Sequence, residues 1–247
     1  MALIGGVVAL LAPLAAAAEG IIIGVYAYPP FEMEVGGRPS GYAHEILDAV
    51  ARRAGFDVQT ADVPVVRATK MLRDTPNLLI AGTKSGEAVA NYGAAIWGFC
   101  FEAVTHALIV KADRPYVGLE SLPRDALIGA FLGYTLKGYL AERGFSAVEL
   151  ASTNEQVADM LMHDRVEAWA SLEGAARYIL DAKGIPQDAV RAIPLRSLPF
   201  CAIAGVDTNP QVLDRLRAAY DGLVADGGRA AIRARYARFL GPDRAWP

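Results

Sequence analysis

Histidine and cysteine are scarce in this chain, three of one and two of the other in 247 residues. His44, His106 and His163 stand far apart. With two cysteines and no H-E-x-x-H, neither a metal site nor a cofactor is expected. The G-x-S-x-G, Walker and G-x-G-x-x-G loops are also missing, which removes the commonest hydrolase and nucleotide-binding signatures. Acid pairs such as Glu32/Glu34 stand on no catalytic scaffold, and their alternation predicts an exposed strand or hairpin. Positive charge is not in excess. The net charge is −3 and the basic residues are scattered, so the electrostatic footprint of a nucleic-acid binder is lacking. Beyond the N-terminus no apolar run has the roughly 20 residues that a bilayer span needs.

What is present describes a compact globular protein: 53% hydrophobic and 21% charged residues, in a length that makes one large domain or two small ones. Residues 1–18, MALIGGVVALLAPLAAAA, read as a secretory signal peptide. An apolar stretch from Leu3 to Leu14 precedes small residues, Ala16–Ala18, suited to cleavage before Glu19. The segment lacks Lys and Arg, and it is too short for a membrane anchor. No lipobox cysteine follows, so a soluble protein in the periplasm is expected. In that oxidising compartment Cys100 and Cys201 can pair or stay as two buried thiols.

Hydrophobic periodicity predicts strands alternating with helices. Ile21–Val25 reads as a strand, Tyr42–Ala54 as a helix stopped by Gly55, and Phe56–Ala61 as a strand. A short helix over Arg67–Arg73 and buried strands at Leu78–Ala81 and Val104–Val110 follow. A second α/β unit begins near Leu119. It has strands at Ala126–Ala130, Ala147–Leu150 and Val166–Ser171, and helices at Leu136–Arg143, Val157–His163 and Glu173–Lys183. Ala189–Leu195 and Cys201–Val206 read as two further strands, and Val212–Val224 and Ala230–Leu240 as amphipathic helices. Such alternation implies a mostly parallel sheet covered on both faces, with ligands at the carboxyl ends of strands.

Eight segments stand in an order that resembles the family 3 extracytoplasmic solute-binding proteins, the receptors of polar amino-acid ABC transporters. They are GVYAYPPF, GYAHEILDAVARRAGF, LLIAGT, ALIVKAD, SLPRDALIGAFLGYT, HDRVEAWASLEGAARYIL, AIAGVDTNPQVLDRL and DGGRAAIRARYARFL. The resemblance spans Ile21 to Leu240. It implies a two-lobed periplasmic-binding-protein fold of type II, each lobe a mixed α/β sheet flanked by helices. Lobe 1 would be residues 19–103 and 205–247, and lobe 2 residues 104–204. Hinge strands near Glu102–His106 and Cys201–Gly205 would run side by side and bring Cys100 and Cys201 into one neighbourhood. The implied partners are a small-molecule solute and the membrane permease of an ABC transporter, with no nucleic acid, and the protein would be a monomer and not an enzyme.

The same resemblance implies a ligand site. Tyr28 lies where the family has a stacking aromatic, with Tyr26 and Phe31 in the same loop; Phe31 reads equally as core. Gly82 and Thr83 match the loop that holds a ligand amine. Gly133, Tyr134 and Thr135 precede a helix start that favours an anion. Two anchors depart from the pattern. The family's carboxylate-clamping Arg corresponds to Ala88, and its ammonium-binding acid to Leu172, with Glu173 beside it. Burying an α-amino acid's charges without partners is costly, so a standard amino acid loses its anchors. Arg67, Lys84 and Glu173 are candidate substitutes, each also readable as a surface charge. Trp97, Phe99 and Trp169 line the cleft or the core. Two further functions remain open: an accessory or sensor protein serving a partner enzyme or receptor, and a dehydratase-type enzyme on the same fold.

Overall fold

The computed structural model of the protein describes residues 20–132 and 136–243. Residues 1–19, which include the expected leader, lie outside the described residues. The first strand, β1 (Gly20–Val25), is followed by a hairpin of β2 (Met33–Val35) and β3 (Arg38–Ser40). Helix α1 (Tyr42–Arg53) buries Ile46, Leu47 and Val50, the positions that its 3.6-residue period places on one face. Gly55, at φ 79°, ends that segment in a conformation that glycine adopts without strain. Then come β4 (Asp57–Asp62), α2 (Ala68–Asp74), β5 (Leu78–Thr83) and α3 (Gly86–Tyr92). Ser85 caps α3, its Oγ accepting from the Ala88 N–H at 3.1 Å.

Strand β6 (Ile96–Lys111) leads into the second half: β7 (Ile128–Phe131), α4 (Leu136–Ala141), β8 (Val148–Ala151), α5 (Asn154–Met162), β9 (Ala168–Leu172) and α6 (Glu173–Ala182). The return strand β10 (Val190–Ala204) precedes α7 (Pro210–Ala225), α8 (Gly228–Ala234) and α9 (Ala237–Leu240).

The strand order β4-β1-β5-β10-β6-β9-β7-β8 explains the two lobes. β4, β1 and β5 are mutually parallel, and so are β9, β7 and β8. Between them β6 and β10 form a long antiparallel ribbon. The end of β10 (Phe200–Ala204) pairs with β5, while the later part of β6 (His106–Ile109) pairs with β9. Two parallel half-sheets therefore hang from one two-strand hinge. The first carries a core around Ile21, Ile23, Tyr42, Ile46 and Leu47. The second is packed on both faces, around Leu108, Ile128 and Leu140 on the α4 side and Ile109, Leu161 and Trp169 on the α5/α6 side.

Three elements differ from expectation. β10 is continuous where two strands, Ala189–Leu195 and Cys201–Val206, were expected: it runs on through Pro199, and its register shifts between Pro194 and Arg196, between Phe200 and Cys201 and between Cys201 and Ile203. Helix α3 was not anticipated, and the helix expected over Ala230–Leu240 divides into α8 and α9. The hinge register is also displaced. Glu102–His106 lie opposite Arg196–Phe200, and Cys201 lies opposite Cys100. The two cysteine sulfurs are bonded at 2.05 Å.

Candidate functional site

After β1 the chain turns sharply through Tyr28–Glu32, where the Tyr28 N–H donates to the Glu32 carbonyl at 2.8 Å and the Glu32 N–H returns to Tyr28 O at 3.1 Å. The turn is seated on the start of α1. Pro30 O accepts from the Tyr42 N–H (2.8 Å) and Phe31 O from the Ala43 N–H (2.9 Å), so loop carbonyls satisfy helix donors that would otherwise be orphaned. Gly41 permits this approach: at φ 112° a Cβ would lie 2.4 Å from Phe31 O.

The seated loop aims Tyr28 at the other lobe. Tyr28 is 5% exposed. Its hydroxyl accepts from the N–H of Leu172, the last residue of β9, at 3.4 Å. Its ring centroid lies 6.0 Å from that of Phe131, the last residue of β7. Tyr26 stays within the first lobe, donating to Ala81 O at 2.8 Å. The aromatic loop and the ends of two second-lobe strands thus meet where ligands of open α/β sheets bind.

Beside this contact lies a row of three residues from neighbouring strands. Arg196 is opposite His106, and His106 is opposite Leu172. Residues opposite each other in antiparallel pairs share a face. Arg196 Nη1 donates to Glu87 Oε1 and Oε2, at 3.0 and 3.3 Å, in the first turn of α3. Its guanidinium lies over the Tyr139 ring of α4, 4.4 Å from the centroid. Burial would raise the Glu87 carboxyl, but hydrogen bonds from Ser85 and Arg196 prevail and hold it at about 2. His106 is fully buried, and burial, then the Arg196 charge, lowers its imidazole to about 3, so it is neutral. Arg196 Nε and Nη2 are buried and have no hydrogen-bond partner among the described residues.

The other expected site residues stand on several elements. Gly82 and Thr83 end β5 opposite Cys201 and Phe200; a Cβ on Gly82 would come within 2.9 Å of Ile203 Cδ1. Arg67 closes a 3₁₀ turn, Val65–Arg67, and is exposed. Gly133, Tyr134 and Thr135 lie outside the described residues. Glu173 pairs with Arg177 one turn along α6. It lines two cavities of about 150 and 460 Å³ with Arg177 and Phe239, the larger also walled by Ile109 of the α5/α6-side core. Lys84 Nζ lies 5.9 Å from the Trp97 ring centroid. Phe31, Phe99 and Trp169 are core: Phe31 packs against Phe200, Phe99 stacks on Tyr220, and Trp169 Nε1 donates to Asn154 Oδ1 at 3.1 Å.

Glu32 corrects the sequence reading outright. Expected on an exposed hairpin, it is fully buried, with neither carboxylate oxygen hydrogen-bonded among the described residues. The Tyr28–Glu32 turn folds it inward, 4.0 Å from His44 Nδ1. That is too long for a hydrogen bond. Burial pushes the carboxyl well up and the imidazole down, favouring the uncharged form of each. The Arg196–Glu87–His106 cluster was missed too. Its one visible signal was a lone cation in the apolar run IPLRSLPF. Among the described residues no cluster of His, Cys, Asp and Glu could hold a metal, and no helix is long and apolar enough to cross a membrane.

No protein-family profile matches the chain, and no curated protein matches it in sequence. Solved structures do match in fold. A histidine kinase sensor domain with similarity to periplasmic binding proteins superposes with a TM-score of 0.79 at 21% identity, over 91% of this chain and 99% of that one. A substrate-binding protein of a Streptococcus pneumoniae ABC uptake transporter, with bound histidine, gives 0.79 at 16% identity over 92% and 95%. The arginine-, lysine-, histidine-binding protein ArtJ of Geobacillus stearothermophilus gives 0.75 at 17% identity over 92% and 96%. At these identities the likeness establishes the architecture: a two-lobed, periplasmic-binding-protein-like α/β fold.

Proposed function

We propose that this chain is an extracytoplasmic solute-binding protein that captures a small polar solute between its lobes and delivers it to the permease of an ABC transporter. The observation that carries this reading is the reach of Tyr28, from the loop of one lobe, to the Leu172 N–H at the end of β9 in the other. A solute held there would touch both lobes and so bias the hinge towards closure. In this reading lobe 1 is residues 19–103 and 205–247, lobe 2 is residues 104–204, and residues 1–18 are a cleaved leader. The bonded cysteines suit the periplasm, where disulfides persist. The protein works as a monomer and is not an enzyme. A second reading is favoured by the likeness to a kinase sensor domain: the same capture step, reported to a signalling partner instead of a permease.

Both readings share the binding step. A thermal-shift screen of residues 19–247 against amino acids, amines, organic acids and small peptides tests it, because a solute that binds only the native state must raise Tm with concentration. We expect at least one saturable hit, weakened about tenfold or more by Tyr28→Ala, which removes the aromatic face. A hit indifferent to Tyr28→Ala would move the site elsewhere. A panel without hits would remove solute capture as the function.

A further inference from the structure

We propose that the Nε–Nη2 edge of Arg196 is the anion anchor of the cleft, and that the solute it takes is a carboxylate with no ammonium group beside it. The inference deepens the solute-binding reading and rests on it. A guanidinium offers five donors in a rigid fork, and its Nε–Nη2 edge matches the two oxygens of a carboxylate. Arg196 uses Nη1 on Glu87 and leaves that edge buried and unpaired among the described residues. A buried charged donor without an acceptor is unfavourable, and an arriving carboxylate would relieve it.

Position points the same way. Arg196, His106 and Leu172 form one row across β10, β6 and β9, and Tyr28 of the opposite lobe touches the Leu172 end of that row. Two strand spacings separate the ends of the row, roughly 10 Å. A solute with an anionic head at Arg196 and an apolar or aromatic body towards Tyr28 and Phe131 fits that span. Among the described residues of this row there is no free acid to hold an ammonium group. Leu172 stands at the end of β9, His106 is neutral, and the Glu87 carboxylate is engaged by Arg196 and Ser85.

The test uses three matched probes on residues 19–247: 3-phenylpropionate, 3-phenylpropionamide and 3-phenylpropylamine. Binding is followed by intrinsic tryptophan fluorescence and by the NMR resonance of Arg196 Nε–H. We expect saturable binding of the acid alone, with the Arg196 resonance shifting. Arg196→Lys keeps the charge but loses the fork, and should weaken the acid about tenfold or more. Glu87→Gln removes a competing carboxylate and should tighten it several-fold, so a failure of Arg196→Lys to fold leaves a second, opposite-signed readout. Acid binding that neither substitution changes, or no acid binding, overturns the proposal. In that case a neutral or cationic solute from the thermal screen would leave the solute-binding reading standing, and no solute at all would remove both.

Discussion

Burying a carboxyl group without a hydrogen-bond donor is unfavourable, and Glu32, at the root of the loop that carries Tyr28, is buried with no donor among the described residues. Burial raises its folded-state pKa well above the ordinary 4.5. As pH climbs past that ordinary value, the unfolded chain loses its proton while the folded one keeps it. Stability is then fully present only below the unfolded pKa and falls until the higher, folded pKa is reached. Glu32→Gln removes the titration and keeps the shape. Melting temperatures of variant and wild type should lie close together at pH 4 and diverge towards pH 8, with the variant more stable there by about 1–3 kcal/mol. Calorimetric melts across that range would show it, and a difference that does not change with pH would refute it. The strand and the loop that carry Tyr28 were legible in the sequence, because a strand running into an aromatic, proline-rich loop advertises itself. Glu32 was not, because its inward turn depends on a pair of backbone hydrogen bonds that alternation of residue types does not encode.

The hinge strands make a similar point for whole elements. Strand β10 carries Pro194 and Pro199, which argue against a central strand because each lacks an N–H. The strand persists because its ribbon is bulged. Leu195 is the extra residue between the pairs Pro194–Ala107 and Arg196–His106, and Phe101 is the extra one between Cys100–Cys201 and Glu102–Phe200. Each extra residue leaves a carbonyl outside the regular ladder, and side chains from distant helices take both. Tyr139 Oη donates to Leu195 O at 3.1 Å. Tyr42 Oη and Arg229 Nε donate to Phe101 O at 3.1 and 2.9 Å. The donors stand 56, 59 and 128 residues away along the chain. A local reading of β10 therefore finds two strands where there is one, and it misses Arg196, which follows directly on the Leu195 bulge. Tyr139→Phe keeps the ring beneath Arg196 and removes one donor. Urea unfolding should show a loss of about 1 kcal/mol, while a variant as stable as wild type would mean that solvent serves the Leu195 carbonyl equally well.

For the molecule as a whole, the alternation of strands and helices was enough to expect two α/β units, and the order of motifs was enough to expect a hinge. The exact crossing was not legible, since bulges shift the register without altering composition. The Cys100–Cys201 bond sits where the chain leaves the first half-sheet and returns to it, closing a loop with a sequence separation of 101 residues. That loop contains β7, β8, β9 and the whole second core, including its hinge-strand members Leu108, Ile109 and Ile193. In the unfolded chain the bond holds together the two ends of an otherwise free segment, so its main effect is to reduce the entropy gained on unfolding. The double substitution Cys100→Ala/Cys201→Ala should lower unfolding free energy by about 2–4 kcal/mol. The expected pattern in urea is a lower midpoint without loss of the native circular dichroism spectrum, because both half-sheets keep their own cores. Equal midpoints for the two proteins would mean that the unfolded ensemble is already compact across this segment. The native hinge is held from outside the bond as well: buried Glu102 accepts from Arg233 Nε at 2.8 Å, tying β6 to α8. Solute affinity measured on the double variant should therefore change less than its stability does, since the residues proposed to line the cleft, Tyr28, Leu172 and Arg196, are positioned by strand pairing and helix seating that survive the loss of the bond.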